Sequence, residues 1–336
     1  MSTPDTASVA TEDRLIIAVP SKGRLQENAM AFFGEAGCPI KKSGSSREYV
    51  GRLGGVPNAD VAFLSASEIA GALGSGQVHL GITGEDLLEE KLPDPKAAVH
   101  IIKPLGFGHA DVVVAVPQSW IDVRTMADFD DVAIAYHARH GERVRIATKY
   151  LRLTRNFFAA HGLADYRIVE SAGATEGAPA GGTAEAIVDI TSTGATLAAN
   201  NLKILDDGVM LKSEANLIAS RSASWGPNAR AAAAQILEMI EAVSRARGVV
   251  EVRFLHDVSD TRLLRELEDK FGARVPFPYD EDGARVALIM HVPDGKVHDV
   301  VTHLYASGKD AVTVTEPRYI FERGNPLMAA LETKLG

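Results

Sequence analysis

The stretch Ala184-Glu185-Ala186-Ile187-Val188-Asp189-Ile190-Thr191-Ser192-Thr193-Gly194-Ala195-Thr196-Leu197 decides how this chain is read. An apolar run of strand character ends in the acid Asp189. A loop of hydroxyl residues around one glycine follows, and residues 197–202 read as the start of a helix. That order suits a phosphate monoester, because free backbone N–H groups and the helix dipole both favour an anion at a helix N-terminus. Thr191, Ser192, Thr193 and Thr196 offer hydroxyl donors, and Gly194 lets the backbone come close to a phosphate. Asp189 is placed for a ribose diol or a bound Mg2+, so the pattern fits a phosphorylated sugar. The same residues also read as a plain strand, turn and Ser/Thr helix cap. No Gly-Lys-Ser/Thr follows, as a P-loop requires, and the three spaced glycines of a dinucleotide fingerprint are missing.

Of 336 residues, 46% are hydrophobic and 24% charged, the balance of a globular enzyme with length for two or three domains. A formal net charge of −9 argues against a nucleic-acid partner, so local positive charge must hold any anionic substrate. The lone Cys38 excludes an internal disulfide and a multi-cysteine zinc site. Residues 1–13 are polar and acidic and read as a disordered tail rather than a signal peptide. Nothing approaches the roughly 20 apolar residues that span a bilayer. The expectation is a cytoplasmic protein with no membrane partner.

Short apolar runs at 15–20, 61–64, 79–82 and 111–116 alternate with helical stretches, including 66–73 and 85–90, which indicates α/β architecture. A second unit begins near Gly106. Residues 144–148 lead into a helix over 151–161, and 166–169 form another strand. Residues 229–247 read as a long amphipathic helix able to link domains. Beyond it the order is strand (250–255), helix (261–271), strands (274–277 and 284–292), helix (296–306) and strand (311–315). That is the βαββαβ order of a ferredoxin-like domain.

Ser21-Lys22-Gly23-Arg24 places two cations at a strand-to-helix turn, where pyrophosphate could meet the Lys22 point charge and the Arg24 fork, or where the helix simply begins in solvent. Gly81-Ile82-Thr83-Gly84-Glu85-Asp86 is a second such turn, whose acids can complement the helix N-terminus. His137 and His140 lack a third ligand at metal spacing and read as an exposed helix or loop. Asp130-Asp131 and Asp206-Asp207 read as solvated loops.

Four segments together resemble the long form of the ATP phosphoribosyltransferase family. They are residues 15–25 (LIIAVPSKGRL), 80–90 (LGITGEDLLEE), 145–150 (RIATKY) and, above all, 176–202 (EGAPAGGTAEAIVDITSTGATLAANNL). The resemblance is strong over residues 14–220 and weaker beyond them. It implies that ATP and phosphoribosyl pyrophosphate condense, with Mg2+, to N1-(5-phosphoribosyl)-ATP and pyrophosphate at the first step of histidine biosynthesis. It also implies a two-lobed catalytic part like that of periplasmic binding proteins, with residues 14–105 and 185–224 in domain I and 106–184 in domain II. A ferredoxin-like domain over 225–336 would bind histidine as feedback inhibitor and assemble a homohexamer, or a dimer. Val250, Val252 and Phe254 supply a sheet face that a neighbour is expected to cover, the other reading being a self-contained domain that shields it with its own helices.

Carried onto this chain, the loop from Asp189 through Thr191, Ser192, Thr193, Gly194, Ala195 and Thr196 would hold the 5-phosphate and ribose. Asp189 is also the candidate Mg2+ ligand. Glu176 would line the ribose side, Lys22 and Arg24 would meet the pyrophosphate, and Gly84, Glu85 and Asp86 would lie near the nucleotide. The family has an Arg after its third strand where this chain has Ser65, and Thr183 and Glu185 replace a usual Leu and Asp. The usual Ser-Pro-Thr of the last domain is replaced by Ala273-Arg274-Val275-Pro276-Phe277. Three other readings stay open: a two-lobed binding protein, a type I phosphoribosyltransferase acting on free bases, and a regulatory paralogue without activity.

Overall fold

The structure is a computed structural model that describes residues 13–42, 50–171, 173–279 and 284–336. The expected tail lies outside the described residues except for Asp13, whose carboxylate accepts from the backbone N–H groups of Asn228 (2.7 Å) and Ala229 (3.2 Å). Two compact units divide the chain. One takes residues up to Phe32, Pro39–Ala232 and Ala330–Gly336, and the other takes Phe33–Cys38 and Ala233–Ala329.

The first unit contains two sheets. Its first run is β1 (Leu15–Pro20), α1 (Gly23–Glu35), β2 (Ile40–Lys42), β3 (Val50–Leu53), β4 (Ala59–Leu64), α2 (Ala66–Ser75), β5 (Leu80–Gly84), α3 (Glu85–Lys91), α4 (Pro95–Ala98) and β6 (Val99–Pro104). The chain then crosses into a second lobe. That lobe holds β7 (Ala110–Pro117), α5 (Met126–His140), β8 (Val144–Thr148), α6 (Leu151–Ala160), β9 (Tyr166–Glu170), β10 (Ala186–Thr191), α7 (Ala195–Ala199) and β11 (Leu202–Ser213). It returns through β12 (Ala215–Ser220) and α8 (Pro227–Ala246). The sheet orders are β2-β3-β4-β1-β5-β12-β6 and β11-β7-β10-β8-β9.

This is the expected two-lobed architecture, but the lobe boundary differs from expectation. Residues 186–213 belong to the second sheet, because β10 pairs with β7 and β8 and β11 pairs with β7. Only β12 returns to the first sheet, between β5 and β6. The uninterrupted apolar run of β7 explains the insertion. Val112, Val114 and Val116 enter one core while Val113 and Ala115 enter the core on the opposite face. Such a strand must be central, with both faces covered. Asp206 and Asp207 lie within bulged β11 rather than in a solvated loop, and they bond to Arg124 and to the Met126 N–H at the start of α5. Asp130 and Asp131 are helical, in α5.

In the second unit, β13 (Val249–Asp257), α9 (Thr261–Phe271), β14 (Arg285–Pro293), α10 (Val297–Ala306) and β15 (Val312–Thr315) precede α11 (Pro326–Leu335), which ends in the first unit. The sheet is antiparallel in the order β14-β13-β15. An isolated antiparallel bridge, Arg274 to His291, stands where the second ferredoxin-like strand was expected. Pro276 and Pro278 have no N–H to donate, which limits a ladder there. Val250, Val252 and Phe254 pack with Leu263 and Leu267 of α9 and with Val300 and Leu304 of α10. This chain's own helices therefore cover that face, contrary to the expectation that a neighbouring subunit does.

His79 shows how one buried ring fixes strand ends. Its Nδ1 accepts from the Ile16 N–H (3.1 Å), so the neutral ring carries its proton on Nε2 and donates to the Ser224 carbonyl (3.0 Å). Burial pushes its pKa down, against the Ser224 carbonyl and Asp13, and burial acts likewise on His100 and His256. A folded pKa below the unfolded one means that stability is full above the ordinary histidine value of about 6.5 and is lost as pH falls below it. The Tm should therefore drop between roughly pH 7.5 and 5.5. His79→Asn, whose Oδ1 can keep the bond from Ile16 without a titrating ring, should flatten part of that drop in a pH series of melts; an unchanged slope would remove His79 from the account.

Candidate active site

Two segments cross between the lobes side by side. Leu105 N–H donates to the Ala215 carbonyl (3.0 Å), Ala215 N–H donates to the Phe107 carbonyl (2.9 Å), and Gly106 N–H donates to Glu214 Oε2 (2.9 Å). The second crossing is a single residue, Glu214, between β11 and β12.

On the second lobe, β10 buries Ala186, Ile187 and Val188 and delivers Asp189 beyond them. Asp189 Oδ1 accepts from the Ile190 N–H (2.8 Å). Burial pushes the Asp189 carboxyl pKa up and Glu176 adds to that, while the Ile190 N–H and Lys149 act to lower it. A cavity of about 360 Å³ is lined by Glu176, Asp189, Thr191, Ser192, Thr193 and Thr196. Gly194 sits at φ 74°, a left-handed conformation that favours glycine, and starts α7 two residues earlier than expected. Its N–H donates to Thr191 Oγ1 (2.8 Å), the Ala195 N–H to Thr193 Oγ1 (3.4 Å), and Ser192 Oγ to the His109 carbonyl (2.8 Å). The loop is thus ordered by its own hydroxyls, and two of the N–H groups expected to be free are already bonded.

A second cavity, of about 240 Å³, shares Ala110 and Ile190 with the first and reaches Leu25, Gly84, Asp86 and Lys149. Asp86 is buried there, and its carboxylate is occupied. It accepts from Tyr150 Oη (2.8 Å) and from Ser213 Oγ (2.8 Å), while its own N–H donates back to Ser213 Oγ (3.2 Å). The flank continues through helix ends. Glu90 of α3 accepts from the Arg152 and Leu153 N–H groups at the start of α6, and the Arg152 guanidinium bonds the Leu92 and Pro93 carbonyls just past α3. Each helix end so receives the charge its dipole favours.

The structure therefore gathers Glu176, Asp189, Thr191, Ser192, Thr193 and Thr196 around one cavity, while Ala195 does not line it. Gly84 and Asp86 line the neighbouring one, with Asp86 serving as a tie between the lobes. Glu85 lines neither; burial, Glu89, Asp86 and Glu214 all push its carboxyl pKa up. Lys22 and Arg24 are exposed and line neither cavity, although the next residue, Leu25, does. Lys149, Tyr150 and Ile190 also line these cavities, which the motifs did not anticipate. Lys149 follows the last residue of β8, the strand beside β10, and that position after a strand end was the available signal.

The departures from the family pattern have local explanations. Ser65 caps α2 and Glu68 reciprocates, a complete capping box. Glu185 is bound by the Arg145 guanidinium and backbone N–H, so it braces β10 against β8. His137 lies in the last turn of α5 against Asp165 (2.9 Å), and among the described residues no cluster of three His, Cys, Asp or Glu could hold a metal ion.

A family profile described as HisG: ATP phosphoribosyltransferase matches residues 65–242. The chain belongs to the ATP phosphoribosyltransferase family. An ATP phosphoribosyltransferase of Afipia carboxidovorans is 56% identical over 321 residues, covering 96% of this chain and 98% of the relative. One from Bradyrhizobium sp. is 54% identical over 321 residues, with the same coverage of 96% and 98%. Near full-length matches of this size place the chain in the long form. A solved chain of the ATP phosphoribosyl transferase (HisG:HisZ) complex from Thermotoga maritima superposes with a TM-score of 0.52 at 25% identity, covering 68% of this chain and 96% of that one. The ATP phosphoribosyltransferase is a pentosyltransferase of the first step of histidine biosynthesis. No helix among the described residues is long and apolar enough to cross a membrane.

Gly84 shows how tightly the tie is packed. A Cβ there would collide with Asp86 Oδ1 and lie 3.0 Å from Ser213 Oγ. Gly84→Ala should destabilise the enzyme by about 1–3 kcal/mol, the ordinary cost of overpacking. Urea denaturation that returned wild-type stability would show that the Asp86 cluster yields freely.

Proposed function

We propose that phosphoribosyl transfer takes place over the cavity formed by Glu176, Asp189 and the 191–196 loop, with ATP and phosphoribosyl pyrophosphate as substrates. One observation carries this reading: a half-buried carboxyl and the hydroxyls of four residues line a single cavity at the end of a central strand. The hydroxyls of Thr191 and Thr193 accept from loop N–H groups as a phosphate oxygen would. An incoming 5-phosphate would take over those N–H groups and release the hydroxyls as further donors. Asp189 and Glu176 would flank the ribose.

In the transfer, adenine N1 attacks the anomeric carbon as the bond to pyrophosphate breaks, and positive charge grows on the ribose ring. Carboxylates beside the ring favour that charge, and holding both reactants in line contributes most of the rest. Lys22, just before α1, and Arg24, in its first turn beside the cavity-lining Leu25, would meet the departing pyrophosphate.

Enzymes of this family act with a metal ion. The residues here fit Mg2+ brought by the substrate: Asp189, with Glu176 nearby, offers hard oxygen donors, and phosphate oxygens would complete the shell. Such an ion, when bound, helps neutralise the leaving pyrophosphate. We further propose that the enzyme acts in the cytoplasm as a homohexamer, with histidine as feedback inhibitor at the C-terminal domain. The strand-helix-strand-helix-strand order of that domain, with one bridge in place of the second ferredoxin-like strand, supports a separate assembly or regulatory role, and the Thermotoga chain's HisG:HisZ complex is a case of a relative that assembles with a partner.

Asp189→Asn and Arg24→Ala should each lower kcat/KM by about a hundredfold or more with the fold intact. Near-normal product formation by both variants would sink the site assignment. Because burial raises the Asp189 pKa, folding disfavours its charged form. Asp189→Asn should therefore raise Tm at neutral pH, and the gain should fade as pH falls towards the ordinary carboxylate value of about 3.9, below which it is gone. Sedimentation and initial rates with and without histidine address assembly and feedback; a monomer indifferent to millimolar histidine would overturn both.

A further inference from the structure

We propose that Lys149 is the cation that binds the pyrophosphate-bearing substrate within the cleft, and that Tyr150, tied to Asp86 and Ser213, positions it. The inference rests on phosphoribosyl pyrophosphate being a substrate, as proposed above. Charge leads to it. Both substrates are polyanions, and the net charge of −9 gives no general attraction. The two adjoining cavities are lined by the acids Glu176, Asp189 and Asp86, and among the described residues Lys149 is the one cation lining either of them.

Position supports the same role. Lys149 is exposed between two buried residues, Thr148 and Tyr150. The Tyr150 N–H donates to Thr148 Oγ1 (2.9 Å), which closes the turn locally. Tyr150 Oη reaches Asp86 across the lobes, and Arg152 and Glu90 tie the following residues to α3. The backbone on either side of Lys149 is therefore fixed. Its ammonium lies 5.0 Å from the centroid of the Tyr150 ring, whose face attracts a cation. It is also close enough to Asp189 to act on that carboxyl. Burial and Asp86 push the Tyr150 pKa far up, so the phenol stays a donor to Asp86 throughout the working range. An ammonium held this way faces an incoming diphosphate with little side-chain freedom left to lose.

Removing one charged hydrogen-bonding partner of an anion should weaken binding roughly tenfold. Lys149→Ala should raise KM for phosphoribosyl pyrophosphate about that much, and should weaken binding of inorganic pyrophosphate with Mg2+ equally in calorimetry. Lys149→Arg should recover most of both. Tyr150→Phe keeps the ring but loses the tie. It should raise the same KM by a smaller factor, whereas a purely structural tyrosine would lower Tm and leave KM alone. Wild-type affinity for pyrophosphate in Lys149→Ala, in a protein whose Asp189→Asn variant is inactive, would overturn this inference and leave the site assignment standing. A wild-type enzyme that binds neither pyrophosphate nor phosphoribosyl pyrophosphate would overturn both.

Discussion

A buried carboxylate, Asp86, joins the two lobes of the catalytic unit. It leaves the end of β5 at the first turn of α3, where the backbone dipole already favours negative charge, and both its oxygens accept from hydroxyls of the other lobe. Without Tyr150 and Ser213 that carboxylate would be buried and unsatisfied, a state that costs more than the bonds themselves return. The cluster therefore forms as a whole or not at all. Gly84 leaves it the necessary room, and the Glu90 and Arg152 contacts extend it along the helix ends. With this flank fixed and the crossings paired beside it, the turn that carries Lys149 is held at the cavity.

The candidate site itself lies on the opposite balance of forces. β10 is driven to the centre of its sheet by Ala186, Ile187 and Val188, and this places Asp189 where burial penalises its charge. The hydroxyl loop that follows satisfies its own N–H groups in the absence of a phosphate, which keeps them from being orphaned. The unfavourable charge at this strand end is what a bound metal ion would relieve. The substitutions that depart from the family pattern are bland beside this. Ser65 and Glu185 make good local bonds of their own and touch neither cavity.

In the C-terminal unit, hydrophobic patterning and ladder chemistry pull apart. The alternation Val250, Val252, Phe254 is the signature of a one-sided strand, and the chain's own two helices satisfy it. The opposite face carries Glu251, Arg253 and Leu255, a mixed surface. Prolines reduce the second ferredoxin-like strand to one bridge, so β14 lacks the full neighbour that the element order predicts.

Periodicity, strand-ending acids and the 184–197 stretch were enough to fix the α/β class, most elements and most of the residues that line the hydroxyl-rich cavity. Those signals are local, carried by side chains a few positions apart. The sequence could not say which sheet receives a strand, since β10 and β11 are as apolar as any other and only pairing assigns them to the second lobe. Nor could it distinguish a cavity-lining acid from a buried tie. Asp86 and Asp189 both follow an apolar run, and what separates them is the partner each meets: Tyr150 and Ser213, distant in sequence, against an open cavity. Lys149 stayed hidden for the same reason, because a lysine after a strand is unremarkable until the fold places it beside two cavities lined by acids.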